Sequence, residues 1–204
     1  MTILAFDTSS AACTAALFDG DGACLGRRDE LIGRGHSERL VPMIAELLDG
    51  RKADRILVGV GPGSFTGIRV AIAAAHGLAI GWQAELFGMS SLALLAAGVS
   101  GGGEVAAAVI GGHGELFVQQ FDRSTIEPTS ELRNLVPAEA ARFATAPLVV
   151  GSGAAQLVDA RGSGEAREAW PSPANALKLP ERLRTLAAKP VYARSPDARV
   201  REAA

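Results

Sequence analysis

Gly59-Val60-Gly61-Pro62-Gly63-Ser64-Phe65-Thr66-Gly67-Ile68-Arg69-Val70 is the stretch in which an apolar strand over 55–60 turns abruptly into an alanine-rich helix. Three glycines around one proline permit a tight path that leaves backbone amides open. Ser64 or Thr66 can cap the helix that follows, so several N–H groups and the positive end of the helix dipole face whatever occupies the turn. Such a corner is either a site for an anion or acyl group or a rigid docking point. It is not a Walker A loop, because no Gly-Lys-Ser/Thr follows at the required spacing. Nor do Gly59, Gly61, Gly63 and Gly67 make the dinucleotide pattern.

Working outward, residues 2–7, 13–19 and 23–31 read as three strands, with Asp19-Gly20-Asp21-Gly22 as a hairpin turn. Apolar residues Leu40, Val41, Met43, Ile44, Leu47 and Leu48 recur at helical spacing over 36–48. The helix after the turn runs to about residue 80, then a strand at 85–87 and a helix over 91–97 close this half. Residues 98–103 hold four glycines in six positions and mark a boundary between lobes 1–100 and 104–204. Strands follow at 104–110 and 116–121 around Gly111-Gly112-His113-Gly114, with a helix over 137–143. A strand over 148–150 leads into Gly151-Ser152-Gly153 and a short helix, residues 161–173 read as loop, and a last helix is expected over 179–188. This succession predicts an α/β chain of two related lobes, mixed sheets flanked by helices, on the ribonuclease H-like plan of actin, sugar kinases and Hsp70. Fold alone does not set activity.

The 204 residues are 48% hydrophobic, enough for a sizeable core. A net charge of −2 argues against a dedicated nucleic-acid binder, so any contact with RNA should be shared or indirect. The basic residues Arg182, Arg184, Lys189, Arg194, Arg199 and Arg201 read as a solvated face. Cys13 and Cys24 lack metal-ligand or Cys-x-x-Cys spacing and read as reduced small hydrophobes. The opening runs straight into a strand, and charge or turn residues interrupt the apolar runs. A cytoplasmic, soluble chain with no membrane association is the expectation.

Catalytic parts are sparse. Asp7-Thr8-Ser9-Ser10 lies where a phosphate hairpin would sit, while its counterpart Val109-Ile110-Gly111-Gly112-His113-Gly114 has glycines but no carboxylate for magnesium. Gly151-Ser152-Gly153 can serve as an adenosine turn or as an ordinary helix entry. Asp7, Ser9, Gly63, Ser64, Thr66, Gly151 and Gly153 are therefore the candidate nucleotide or anion contacts. His36, His76 and His113 form no His-x-x-x-His pair, so no metal site is expected. His36 flanks its helix, and His76 reads as packed or interfacial. Ser64 and Thr66 have no histidine or lysine nearby in sequence to activate them. Asp7 and Glu38 could pair, although Glu38 already suits the first turn of its helix.

The small-residue helix over 70–80 and the stripe over 36–48 look more apolar than one lobe can cover. Either they are ordinary core, or Leu40, Ile44, Leu47, Ala71, Ala74, Ala75 and Leu78 form one interface with a partner chain.

The twelve residues quoted first, with Ile3-Leu4-Ala5-Phe6-Asp7-Thr8-Ser9-Ser10 and Gly35-His36-Ser37-Glu38-Arg39-Leu40-Val41-Pro42-Met43-Ile44, closely resemble the TsaB (YeaZ) family. A weaker echo lies at Pro190-Val191-Tyr192-Ala193-Arg194. The resemblance implies the two-lobed fold and a non-catalytic scaffold that binds and activates TsaD and, with the ATPase TsaE, supports transfer of threonylcarbamoyl to the adenosine beside the anticodon of certain tRNAs. It implies a homodimer when alone, contact with tRNA only through the complex, no required cofactor, and ATP at most at the complex interface. The family's Asp-Ala-Arg start at the second-half turn is replaced here by Gly111-Gly112-His113. The catalytic paralogue's histidine pair has no equivalent in Met89-Ser90-Ser91-Leu92-Ala93-Leu94. A stand-alone ATP-dependent phosphotransferase using Asp7 and the Gly151 turn is the alternative. A peptidase reading has neither metal ligands nor a triad in the sequence.

Overall fold

Every residue of β1 (Ile3–Asp7) and β2 (Ala12–Phe18) is buried, because the sheet they begin is covered on both faces. The structure, a computed structural model, describes residues 1–191. β2 continues the antiparallel meander into β3 (Cys24–Leu31), and the chain then forms α1 (His36–Leu48), β4 (Arg55–Gly59), α2 (Phe65–Trp82) and β5 (Glu85–Met89). β4 and β5 add in parallel on the other side of β1, which gives the strand order β3-β2-β1-β4-β5. α3 (Ser91–Ala96) leads into the second half, which contains β6 (Glu104–Ile110), β7 (Leu116–Asp122), β8 (Arg133–Leu135), α4 (Pro137–Phe143), β9 (Leu148–Val150), α5 (Ala154–Arg161) and β10 (Glu165–Arg167). Its sheet, β10-β9-β6-β7-β8, repeats the first one strand for strand, with the same antiparallel and parallel partners. The expected two-lobed α/β architecture is present.

Three apolar cores alternate with the two sheets. Leu40, Met43, Ile44 and Ala71 lie with Leu4 and Phe6 under α1 and α2, and Ala140 and Leu157 lie with Ala106 and Leu116 under α4 and α5. Between the sheets, one cluster joins Ile3 and Leu57 of the first lobe to Val105, Phe121 and Val150 of the second, around the wholly buried α3. The 98–103 turn therefore marks where the chain changes sheet, while the core runs across it.

Three sequence expectations differ from the structure. β8 and β10 were not foreseen, since three residues are too few to show a period and β10 is exposed throughout. The expected helix over 179–188 is helical only in α6 (Glu181–Arg184), after a 3-10 turn over Pro173–Lys178. Beyond it, Leu186 exchanges hydrogen bonds with Gly88 (2.7 and 3.0 Å) and Val191 N–H donates to Val60 O (2.9 Å), so backbone pairing with the β5 edge prevails over helical spacing. This brings residues 186–191 of the chain's second half back to the first sheet. Cys13 is buried as expected, but Cys24 is exposed beside the β2–β3 register shift. The echo at Tyr192-Ala193-Arg194, and Arg199 and Arg201, lie outside the described residues. Among the described residues, α2 alone is long and apolar enough to span a membrane by length and composition.

Candidate functional site

The turn from β4 into α2 is fitted against the turn from β1 into β2, and its glycines are what allow the fit. A Cβ on Gly63 would overlap the Ser9 carbonyl, one on Gly67 the Thr8 carbonyl, and one on Gly59 the Asp7 carboxylate. The backbones close with Ser64 N–H donating to Ser9 O (2.6 Å) and Thr8 Oγ1–H donating to Gly67 O (2.7 Å). Gly61 and Gly63 hold φ of 93° and 155°, in the region that favours glycine. Ser64 caps α2, its Oγ accepting from Gly67 N–H at 3.2 Å. Of the two expected caps, Ser64 takes the role, and much of the turn is spent on docking within the lobe.

Asp7 is fully buried at the centre of this junction. One carboxylate oxygen accepts from Ser9 N–H (2.7 Å) and Ser9 Oγ–H (2.6 Å), and the other accepts from Ser91 Oγ–H (2.6 Å). Ser91 Oγ in turn accepts from Gly61 N–H at 3.1 Å, which ties β1, the turn and α3 together. Burial pushes the Asp7 carboxyl above its ordinary value, against the opposing pull of the Ser9 and Ser91 hydrogen bonds. Glu38 is exposed and bonded to Ser37 Oγ, so the possible Asp7–Glu38 pair does not form. His36 is the first residue of α1, and exposed His76 lies with Nε2 3.4 Å from Ala188 O.

Beside the junction a cavity of about 530 Å³ opens between the lobes. Ser9, Ser64 and Thr66 line it, as the sequence suggested. Asp7, Gly63, Gly151 and Gly153 do not. Gly151 N–H donates to Arg167 O (3.1 Å) and Gly153 N–H to Ala108 O (3.0 Å), so both are committed to strand contacts rather than to a ligand. Between them Ser152 does reach the cavity, its Oγ accepting from Ile110 N–H at 3.1 Å. Sequence reading missed Arg34 and Trp170. Arg34 stands in the Gly33-Arg34-Gly35 loop, which Ala11 O fixes by accepting from Ile32 and Gly33 N–H. A cation between two glycines ahead of a helix was a usable signal, whereas nothing local marks Trp170. Gly112–Gly114 forms an exposed 3-10 turn between β6 and β7, and among the described residues no group of three or more metal-ligating side chains comes together.

The expected interface residues are corrected by the packing. Leu40, Ile44, Leu47, Ala71 and Ala75 are 0–7% exposed and form the core beneath α1 and α2, with Ala74 and Leu78 half-buried at its edge. The apolar stripe is not excess to the lobe, because Leu4, Phe6, Ile56 and Val58 of the sheet pack against it. The outward face of α2 is a different one, formed by Phe65, Arg69, Ala73, His76, Gly77 and Ile80, with Val41 exposed on α1. Arg69 stacks over the Phe65 ring at 3.6 Å.

A five-stranded sheet duplicated in order and direction, with the cavity between its copies, defines a protein of the actin, sugar-kinase and Hsp70 class. The chain is 31% identical to a Pseudomonas aeruginosa protein of known crystal structure described as similar to the peptidase YEAZ, with a TM-score of 0.80 over 95% of this chain and 99% of that one. YeaZ from the same organism matches at 29% identity and TM-score 0.79, over 94% and 99%. The chain belongs to the TsaB/YeaZ family. Residues 29–146 match the family profile described as "TsaD: tRNA N6-adenosine threonylcarbamoyltransferase". The tRNA threonylcarbamoyladenosine biosynthesis protein TsaB of Escherichia coli K12 is 36% identical over 131 residues, which cover 60% of this chain and 56% of that protein. The match thus spans about half the length of that curated relative.

Proposed function

We propose that this chain is a non-catalytic subunit that binds and activates a TsaD-type transferase. With a TsaE-type ATPase recruited to the pair, it supports transfer of threonylcarbamoyl to the adenosine beside the anticodon of certain tRNAs. The names of its relatives support the pathway, and the outward face of α2 carries the mechanism. Only five of the 18 residues of α2 are buried, yet the helix holds a single formal charge, Arg69. Ala73 and Gly77 are small enough for a second helix to approach to about 8 Å, and Ile80 beside them is 80% exposed. Covering this face removes apolar surface from water and involves a single formal charge, Arg69 at its Phe65 end.

The same face serves two copies of the chain when no transferase is present, through closed two-fold pairing. Transfer RNA is reached through the complex, in keeping with the net charge of −2. The chain itself requires no cofactor, and ATP sits at most where the subunits meet. It acts in the cytoplasm. A phosphotransferase reading is not favoured, because Asp7 is buried under Ser9, Ser91 and Gly59 instead of facing the cavity.

The test is reconstitution of tRNA modification from unmodified tRNA, an activated threonylcarbamoyl donor, the chain, a TsaD homologue, a TsaE homologue and ATP. Modified tRNA is expected only when the chain and the transferase are together. Ile80→Arg should lower the rate by more than about tenfold, the loss of about 1.4 kcal/mol or more carried by an interface anchor. Modification by the chain without the transferase, or an undiminished rate when the chain is omitted, would overturn the proposal.

A further inference from the structure

We propose that His76 is a proton switch on the outward face of α2: with the ring neutral a second copy of the chain docks there, and protonation drives the pair apart. This rests on the docking face proposed above and adds its regulation.

The switch follows from position. Ala73, His76 and Ile80 stand one helical turn apart on a single stripe of α2, and all three are exposed. A second helix that covers Ile80 and lies against Ala73 therefore covers the imidazole between them. The neutral ring is a flat, largely apolar body that enters such a contact with one polar bond already made, since its Nε2 lies 3.4 Å from Ala188 O in the segment that follows the Leu186–Gly88 pairing. A carbonyl oxygen only accepts, so in the neutral ring Nε2 carries the hydrogen and Nδ1 is the nitrogen that takes up a second proton. The imidazolium then brings a full charge into an apolar face, and docking must strip the water from it.

Few of the surrounding charges oppose that one. On α2 itself the single formal charge is Arg69, two turns towards Phe65, and beyond Ala188 comes Lys189, both of the same sign as the imidazolium. On α1, Glu46 is held by Arg39, which also holds Glu30, and Glu38 accepts from Ser37, while Asp49 lies off the helix end. On β4 and β5, Arg55 and Glu85 pair with each other, and Asp7 of β1 is buried. Two-fold pairing doubles the effect, because each copy contributes its own His76 and Arg69 to one interface. The docked state disfavours the proton, so proton uptake accompanies separation and affinity falls as pH falls. Histidine changes charge between about pH 5 and about pH 8, which places the response in that range.

Sedimentation equilibrium of the chain alone, from about pH 8 to about pH 5.5 at fixed ionic strength, tests this. The self-association constant should fall by about tenfold or more over that interval. His76→Gln keeps a polar side chain without the titration and should pair with unchanging affinity across it. His76→Arg places a permanent charge at an exposed position and should pair weakly at every pH, with the melting temperature of the wild type. In NMR spectra the His76 ring should take up its proton at higher pH in the monomeric Ile80→Arg variant than in the wild-type pair. Wild-type affinity that does not change with pH, a His76→Gln variant that keeps the pH dependence, or tight pairing by His76→Arg overturns the switch, and the docking face survives if Ile80→Arg still breaks the pair. A chain that stays single at every pH, or that pairs regardless of Ile80→Arg, overturns the docking face and the switch together.

Discussion

Replacing Gly67 with alanine tests whether the glycines of the turn exist to let two backbones touch. The added methyl would overlap the Thr8 carbonyl, and relief requires the β1–β2 turn to move off α2. That movement stretches the Thr8 Oγ1–Gly67 O and Ser64 N–Ser9 O hydrogen bonds, now 2.7 and 2.6 Å. Two hydrogen bonds at about 1 kcal/mol each and an overpacking strain of about 2 kcal/mol oppose a gain of about 1 kcal/mol from replacing glycine in a helix. The net expectation is about 3 kcal/mol of destabilisation, which in a chain of this size lowers Tm by about 6–12 °C. Gly81 is the control on the same helix, with nothing within 4 Å of an added Cβ, and alanine there should raise Tm by up to about 4 °C. Thermal melts followed by circular dichroism read both variants. Equal shifts of the same sign would refute the close-approach reasoning.

Ala75→Arg places a long cation at a position with no exposure in the core beneath α2, so it should prevent folding rather than merely block a partner, read as loss of soluble protein and of a cooperative melt. Leu92→Ala removes a fully buried side chain from the core shared by the two lobes, and should cost about 3–4 kcal/mol while leaving one unfolding transition; two separated transitions would deny the shared core. Carboxyl titration by NMR should place Asp122 at about 2, because Ser124 and Thr125 donate to it, and Asp7 above 3.8, because it is buried. The signs are opposite: the contribution of Asp122 is present above pH 3.8 and lost as pH falls towards 2, whereas that of Asp7 is greatest below pH 3.8 and declines as pH rises. Asp7→Asn should therefore gain on the wild type in urea midpoint as pH rises above 3.8, and a constant difference would contradict the assignment.

The elements with clear periodicity were legible in the sequence. The three-strand meander, the helix over His36–Leu48 and the strand before the glycine turn emerge from apolar spacing, and together they fix the class of fold. β8 and β10 were illegible because three-residue strands owe their existence to neighbours in the sheet. The segment around Leu186 carried helical spacing, but a free β5 edge offered it backbone partners, and tertiary pairing prevailed. At the site, Ser9, Ser64 and Thr66 could be named because a glycine turn ahead of a helix advertises its hydroxyls. Arg34 and Trp170 are 136 residues apart in the sequence and meet only through the folding of both lobes. That Leu40, Ile44, Leu47, Ala71 and Ala75 are core could not be read in advance for a simple reason: on an almost uniformly apolar helix, composition does not say which side faces the sheet.

Light scattering on a sizing column, with the chain alone and mixed with a TsaD homologue, tests the central claim most directly. The account predicts a self-paired dimer that converts to a mixed complex on addition of the transferase, with both associations lost in Ile80→Arg and the melting temperature retained. A chain that ignores the transferase, or a mixed complex that forms equally well with Ile80→Arg, would contradict it.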